Sequence, residues 1–365
     1  MRKIICSILV FCLIFSLAAC GSKQDGANAD QTIGTNATDN TQATSGNTEQ
    51  TEIGSTEQTE VTNNDQTNTE PTTPEKTEHI LSNKKVIIIG NSHTYFGGMV
   101  KEISQSVMEL SDRVNDKGYF YQLCKANGVE NMTVTNWTFG NHGLKDLFSG
   151  DCQANRSCGN GSDHLAELTD NNYDYVIFQQ GSTGTATFME WLDVMMNFFK
   201  AGNPNTKFVM LVQARAHNDH AADANKYTWL AKLSEIEQKG VTIVDWGAMV
   251  YDIYSGAKTL SGENLVPLNK NSFVIAKTES DGYHPSLLAG YITTLMTYCA
   301  ITGESAVGQD YAFCSGTRDF ASFLKSYYKV DTSNFPVVFQ SKNTMLALQQ
   351  TVDEYLAAKG YRNYK

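Results

Sequence analysis

Apolar and polar positions along this chain alternate between two patterns. Short apolar runs predict buried strands at residues 86–89, 131–139, 207–212 and 241–244, and a further strand with its exit loop within 173–182. Apolar residues at helical spacing predict helices at 188–199, 222–238 and 344–358, and a core helix from Pro285 to just before Gly303. Strands that alternate with helices predict an α/β fold, in which a parallel sheet carries helices on both faces and functional residues follow the strands' carboxyl ends.

The first 20 residues carry a different pattern. A basic start, Met1 to Lys3, precedes an apolar stretch at 4–16 that is short for a bilayer span, and Leu17-Ala-Ala-Cys20 follows. This resembles a bacterial lipoprotein signal, which implies removal of residues 1–19 and a lipid on Cys20. We therefore expect a protein anchored to a bacterial cell membrane through this lipid, on its extracytoplasmic face. An ordinary secretory peptide or an N-terminal anchor helix would also direct the protein out of the cytoplasm.

Residues 20–79 are rich in Thr, Asn, Gln and Glu and almost lack large apolar residues, so we expect a disordered linker. Residues 22–78 contain eleven acidic residues and two lysines. Their formal net charge is therefore −9, whereas that of the whole chain is −11. The acidic charge therefore belongs mostly to the linker, and no basic patch suggests a nucleic-acid partner. Residues 80–365 remain as one domain that is large enough to bury its own core.

Two short blocks carry the candidate chemistry. In the first, Gly90-Asn91-Ser92 follows an apolar strand, and the glycine allows a sharp turn that would present the serine hydroxyl. In the second, Asp281 and His284 lie three positions apart on a short loop, so the carboxylate can orient the imidazole. A hydroxyl, a base and a group that orients the base make up a nucleophilic triad.

With these blocks in this order, the chain resembles the SGNH (GDSL-like) hydrolase superfamily across roughly residues 84–303. The resemblance implies the SGNH hydrolase fold, a three-layer α/β/α arrangement around a flavodoxin-like parallel sheet. It also implies a Ser92, His284 and Asp281 triad that needs no cofactor or metal. Asn91 stands where the family has an acid that braces the loop. For His93, beside the nucleophile, a surface or packing role is favoured over a catalytic one.

The middle blocks of that family supply the donors of an oxyanion hole. The resemblance implies the N–H groups of Ser92 and Gly143, with Gly140 as the alternative glycine, and a side-chain amide after the third strand. Asparagine is usual there, whereas this chain offers Gln180, as in the sialate O-acetylesterase-like branch. Gln179 or Ser182 could hold the same position.

Other polar and aromatic residues add weaker candidates. Cys152 and Cys158 flank a short loop and could form a disulfide in an oxidising compartment, whereas Cys299 is expected to be buried. The spacing of His217, Asp219 and His220 is better explained by an exposed polar loop than by a metal site. The remaining candidates share a position near strand ends, where they could border the pocket: Arg215, His217, Asp245 and Trp246. Trp137, Trp246 and Tyr283 could stack on a sugar, although core packing is the default for aromatic residues near strand ends.

Together these features predict a lipid-anchored, cell-surface serine esterase. The resemblance and the surface location favour an O-acetyl ester on carbohydrate, so the expected partners are an acylated small molecule or polysaccharide and the membrane. Two alternatives stay open. One is a different acyl chemistry, as in an acyltransferase or lipid esterase, and the other is a non-catalytic surface lipoprotein that binds a glycan or another ligand.

Overall fold

A computed structural model describes residues 78–100, 118–140, 142–149, 164–179, 188–216, 228–275, 284–316 and 335–361. The predictions for the signal segment, for Cys20 and for the linker up to residue 77 fall outside these ranges. So do Asp281, Gln180, Ser182 and Tyr283, together with the pair Cys152 and Cys158 and the group His217, Asp219 and His220.

Five strands form a parallel sheet whose order is β2-β1-β3-β4-β5. The strands are β1 Lys85–Gly90, β2 Thr133–Thr138, β3 Tyr175–Gln179, β4 Lys207–Leu211 and β5 Val241–Val244. This is the flavodoxin-like order, in which the chain reverses direction across the sheet beside β1. The predicted α/β fold with a parallel sheet is therefore confirmed.

The strands lie between two apolar layers because successive side chains point to opposite faces. In β1, Val86 and Ile88 pack into one hydrophobic cluster, whereas Ile87 and Ile89 pack into the other. All four side chains are fully buried, which explains why the run is apolar throughout rather than alternating.

Helices connect and cover the strands. In chain order they are α1 Ser92–Tyr95, α2 Tyr119–Ala126, α3 Leu144–Phe148, α4 His164–Glu167, α5 Phe188–Gly202, α6 Leu233–Gln238, α7 Trp246–Ser255, α8 Lys270–Phe273, α9 Leu287–Thr302, α10 Phe335–Gln340 and α11 Lys342–Ala358. Residues from α2, α7, α9 and α11 share the cluster of Val86, whereas residues from α3, α5 and α6 share that of Ile87. Helices thus cover both faces of the sheet.

Two predicted helices differ in detail. The described part of the 222–238 helix is a 3-10 segment, Thr228–Lys232, followed by α6, because Lys232 leaves helical geometry with ψ near 2°. The core helix begins at Leu287 rather than Pro285, since Ser286 is its N-cap and Pro285 belongs to a short strand. Its end before Gly303, which has φ +75°, is as predicted.

The helix α9 is the most deeply buried helix in the core. Every residue from Leu287 to Cys299 is buried, so α9 packs on all sides rather than along one apolar stripe. Cys299 is fully buried, as expected. Among the residues that the structure describes, no helix combines the length and apolar character that a membrane crossing requires.

Candidate active site

Ser92 lies at the turn where β1 leaves the sheet. Gly90 ends the strand, Asn91 is the N-cap of α1, and Ser92 is its first residue. A Cβ atom on Gly90 would lie 2.2 Å from Thr94 Oγ1, so no other residue fits without moving this turn. The glycine therefore allows the tight strand-to-helix turn on which the hydroxyl is presented.

Asn91 braces this turn from both ends of its side chain. Its Oδ1 accepts a hydrogen bond from the His93 N–H at 3.0 Å, and its Nδ2 donates to the His142 carbonyl at 2.8 Å. An ionised aspartate could make only the first of these bonds, because a carboxylate has no donor. The asparagine thus ties the turn after β1 to the loop after β2, which is the bracing role expected of this position.

A second bond ties the same turn to β3. Thr94 Oγ1 donates to Gln179 Oε1 at 2.6 Å, and both side chains are buried. The amide oxygen of Gln179 is therefore engaged inside the core. This leaves the preferred oxyanion donor, Gln180, as a prediction outside the described residues.

His284 meets Ser92 across 192 residues of sequence, with its Nε2 atom 2.9 Å from Ser92 Oγ. The two side chains that sequence analysis assigned as base and nucleophile are thus within hydrogen-bonding distance, and both are partly accessible to solvent. Asp281, the proposed third member, lies outside the described residues, so its role remains a prediction.

Backbone pairing and a helix cap hold His284 in place. Its strand, β7 His284–Pro285, pairs antiparallel with β6 Val274–Ile275. Ser286 follows at once; its Oγ donates to the Ser272 carbonyl at 2.6 Å and accepts from the Ala289 N–H at 3.2 Å. The buried helix α9 therefore begins three residues beyond the base and fixes its backbone.

His93 packs against another ring, in line with the packing role that sequence analysis favours. Its partner is the imidazole of His284: the two ring centroids are 4.8 Å apart and the planes differ by 18°. Phe96 also contacts His284, with centroids 4.4 Å apart. Residues three positions apart on a helical turn lie on the same side, so His93 and Phe96 can both contact His284. The apolar pattern of the sequence alone does not reveal this arrangement.

The proposed glycine donor is engaged in the structure. The Gly143 N–H donates to Asp146 Oδ2 at 2.8 Å, as part of the N-terminal cap of α3. A role in oxyanion binding would require this N–H to be shared or released. The alternative glycine, Gly140, is buried, and its carbonyl accepts a bond from His142 Nδ1 at 2.7 Å.

Most of the weaker candidates have structural positions. Trp137 and Trp246 are buried in the core, so neither presents a ring to a sugar. Asp245 is also buried and caps α7, its carboxylate accepting from the Ala248 N–H at 3.0 Å. Burial raises the pKa of Asp245, although this bond and the positive charge of Arg215 oppose the rise. Arg215 itself is exposed.

Buried thiols in the described ranges are weaker candidates for a nucleophile than Ser92. Burial raises the pKa of the Cys124 and Cys314 thiols well above the ordinary value, so both stay protonated and weakly nucleophilic. Within the described ranges, no three His, Cys, Asp or Glu residues converge as metal ligands would. The contact between Ser92 and His284 is thus the arrangement in these ranges that is best suited to nucleophilic chemistry.

No known family profile matches the chain, and no curated protein matches it by sequence. Among solved structures, a catalytic mutant of an acetylxylan esterase from Geobacillus stearothermophilus is 14% identical with a TM-score of 0.41, over 62% of this chain and 97% of the esterase. A GDSL-like lipase from Parabacteroides merdae is 15% identical with a TM-score of 0.40, over 61% and 96%. A member of the lipolytic G-D-S-L family from Veillonella parvula is 10% identical with a TM-score of 0.35, over 60% and 96%. The function of this site is therefore inferred from its own residues and geometry.

Proposed function

We propose that this chain is a serine ester hydrolase in which Ser92 is the nucleophile, His284 the base and Asp281 the residue that orients the base. One observation carries the proposal: His284 Nε2 lies 2.9 Å from Ser92 Oγ, the distance needed for a general base to take the hydroxyl proton. The resemblance of the two sequence blocks to SGNH hydrolases supports the same assignment.

In the proposed reaction, His284 Nε2 removes the Ser92 proton while Oγ attacks the ester carbonyl. The carbonyl π electrons move to oxygen and form a tetrahedral oxyanion. When this intermediate collapses, the bond to the alcohol breaks, and the imidazolium of His284 donates its proton to the leaving oxygen. Water, deprotonated by the same imidazole, then attacks the acyl-enzyme, which releases the acid and restores Ser92.

The proposed oxyanion hole combines the Ser92 N–H, the Gly143 N–H and the amide of Gln180. Ser92 is the first residue of α1, so its N–H belongs to the turn that carries the nucleophile. Gly143 follows His142, whose carbonyl accepts the hydrogen bond by which Asn91 ties the loop after β2 to this turn. These donors would stabilise the charge that develops in the transition state.

As the substrate we propose an O-acetyl ester of a carbohydrate. Surface display supports this choice, because polysaccharides are the abundant acylated polymers that a tethered extracytoplasmic domain can reach. The linker of residues 20–79 would connect this domain to the lipid on Cys20. The fatty acyl chain attached at Cys20 would hold it at the membrane.

To test the function, the full-length chain purified in detergent would be assayed with p-nitrophenyl esters of two, four and eight carbons and with acetylated xylan. We expect Ser92-dependent release of acetate, with rates that fall as the acyl chain lengthens. Ser92→Ala and Asp281→Ala are the test variants, and Ser255→Ala, an exposed serine at the end of α7, is the matched control. Release that is equal in Ser92→Ala and wild type would exclude the mechanism, and a preference for eight carbons would favour a lipid esterase.

The anchor needs its own experiment. Cells that express the full chain would be labelled with a radioactive fatty acid, and we expect the label on the wild type but not on Cys20→Ser. Labelling that persists in this variant would exclude Cys20 as the lipidated residue.

A further inference from the structure

We propose that His93 is a positioning residue for the base: held by a hydrogen bond to Gln213, it stacks on His284 and keeps Nε2 of that ring directed at Ser92. This inference rests on the proposed function of Ser92 and His284. It assigns to the residue after the nucleophile a role in the reaction that does not require contact with the substrate.

The position of His93 is fixed at its backbone. Its N–H donates to Asn91 Oδ1 at 3.0 Å, the cap that starts α1. The ring is therefore attached to the same helical turn as the nucleophile. With centroids 4.8 Å apart and planes 18° apart, it lies nearly parallel to the ring of His284.

The ring of His93 is also fixed at its edge. Gln213 Nε2 lies 2.5 Å from His93 Nδ1. An amide offers a donor on one side and an acceptor on the other, so Gln213 can bond Nδ1 in either tautomer of His93. The hydrogen bond thus stops the ring from turning about its χ2 torsion.

Gln213 is well suited to this role because the fold holds it rigidly. It is buried just beyond the end of β4. The Gly247 N–H donates to the neighbouring Val212 carbonyl at 3.0 Å, and a Cβ atom on Gly247 would lie 2.5 Å from the Gln213 carbonyl oxygen. The close approach of α7 therefore fixes the backbone from which the amide reaches His93.

The stack matters for the chemistry because His284 alternates between neutral and charged forms during each turnover. A neutral aromatic ring that lies flat against an imidazolium offers its electron-rich face to the positive charge. It also restricts the orientation of His284, so that Nε2 stays close to the hydroxyl instead of sampling other rotamers. General-base catalysis is sensitive to such placement, because small displacements of reacting groups strongly reduce the rate.

The first experiment compares kcat and KM for p-nitrophenyl acetate in full-length variants. We expect His93→Ala to lower kcat by about tenfold with little change in KM, because the loss is one of positioning rather than of substrate binding. His93→Phe keeps a ring for stacking but cannot bond Gln213, so it should recover part of kcat. Gln213→Met, which has no polar group that could bond Nδ1, should lower kcat although its side chain has nearly the same length.

The matched control is His79, which also stacks on an aromatic ring, that of Tyr298, with centroids 5.9 Å apart. It precedes β1 and so lies at the amino end of the sheet, away from Ser92. His79→Ala should leave kcat unchanged. A wild-type kcat in His93→Ala, or a His93→Phe variant as slow as His93→Ala, would overturn the inference.

A second measurement does not depend on turnover. In the full chain labelled with ¹⁵N-histidine, the ring signals of His284, assigned by their loss in His284→Gln, should shift and broaden in His93→Ala but stay near wild type in His93→Phe. Unchanged signals in His93→Ala would exclude the positioning role even if the enzyme hydrolyses esters. If they change while no ester is hydrolysed, the positioning role stands and the proposed esterase function fails.

Discussion

Gly97 and Gly290 lie backbone against backbone, so closely that a Cβ atom on Gly290 would be 1.5 Å from the Gly97 carbonyl oxygen. Gly97 follows the turn that carries Ser92, and Gly290 lies in the first turn of α9, just beyond His284. This contact joins the two segments that supply the nucleophile and the base. The 2.9 Å distance between Ser92 and His284 therefore depends on two residues that have no side chain.

Gly290→Ala should reduce both stability and activity. The added methyl group must push α9 away from the turn, and overpacking of this kind costs about 1–3 kcal/mol in the free energy of unfolding. Because the displaced helix follows directly on the strand that carries His284, we expect kcat to fall as well. Urea unfolding and p-nitrophenyl acetate kinetics would measure the two effects.

Gly303→Ala is the control for this change. Gly303 ends the same helix with φ +75° and has open space around it, so alanine there should lower stability by about 1 kcal/mol through backbone strain alone. Its kcat should remain that of the wild type. If Gly290→Ala loses stability without losing kcat, the two glycines do not set the geometry of the catalytic pair.

Asp146 provides a test of the proposed glycine donor. Its carboxylate accepts from the Gly143 N–H at 2.8 Å, the group that we assign to the oxyanion hole. Asp146→Ala removes this competitor, so kcat should rise, by at most the factor of about one hundred that a single oxyanion donor contributes. The unfolding midpoint should fall, because α3 loses its cap. A lower kcat in Asp146→Ala would argue against Gly143 and in favour of Gly140.

Asp245 should make stability depend on pH. Burial raises its pKa in the folded state, so the folded protein binds this proton more tightly than the unfolded chain does. The contribution of Asp245 to the free energy of unfolding therefore decreases as the pH rises from the ordinary aspartate pKa, about 3.9, through the raised value. Asparagine keeps the cap on the Ala248 N–H without a charge.

Urea unfolding of wild type and Asp245→Asn across pH 3.5 to 7.5 would measure this effect. The variant should gain stability relative to wild type as the pH increases, whereas Asp245→Ala should be about 1 kcal/mol less stable than Asp245→Asn at every pH because it lacks the cap. An Asn variant whose stability relative to wild type falls with increasing pH would show that the charged carboxylate stabilises the fold.

The sequence predicts the parts of this structure that depend on local pattern. The buried strand before Ser92 and the helix that ends at Gly303 follow from runs of apolar residues and from glycine, and the structure confirms both. The pairing of Ser92 with His284 is predicted from triad chemistry and from the resemblance of the two blocks, and the structure places the two side chains 2.9 Å apart.

The features that could not be predicted depend on long-range packing. The stack of His93 on His284, and the hydrogen bond with Gln213 that fixes it, bring together residues from three distant segments. No local pattern marks Gln213 as a partner of His93. The burial of Trp137 and Trp246, by contrast, agrees with core packing, the default expectation for aromatic residues near strand ends.

The most direct test of the central claim is covalent labelling of Ser92. The full-length chain would be treated with a fluorophosphonate, which reacts with serines activated by a neighbouring base, and the modified peptide would be identified by mass spectrometry. We expect one adduct, on Ser92, and its loss in His284→Gln but not in His79→Gln. Labelling of Ser92 that is unaffected by His284→Gln, or ester hydrolysis by a chain that is never labelled at Ser92, would contradict the proposed catalytic pair.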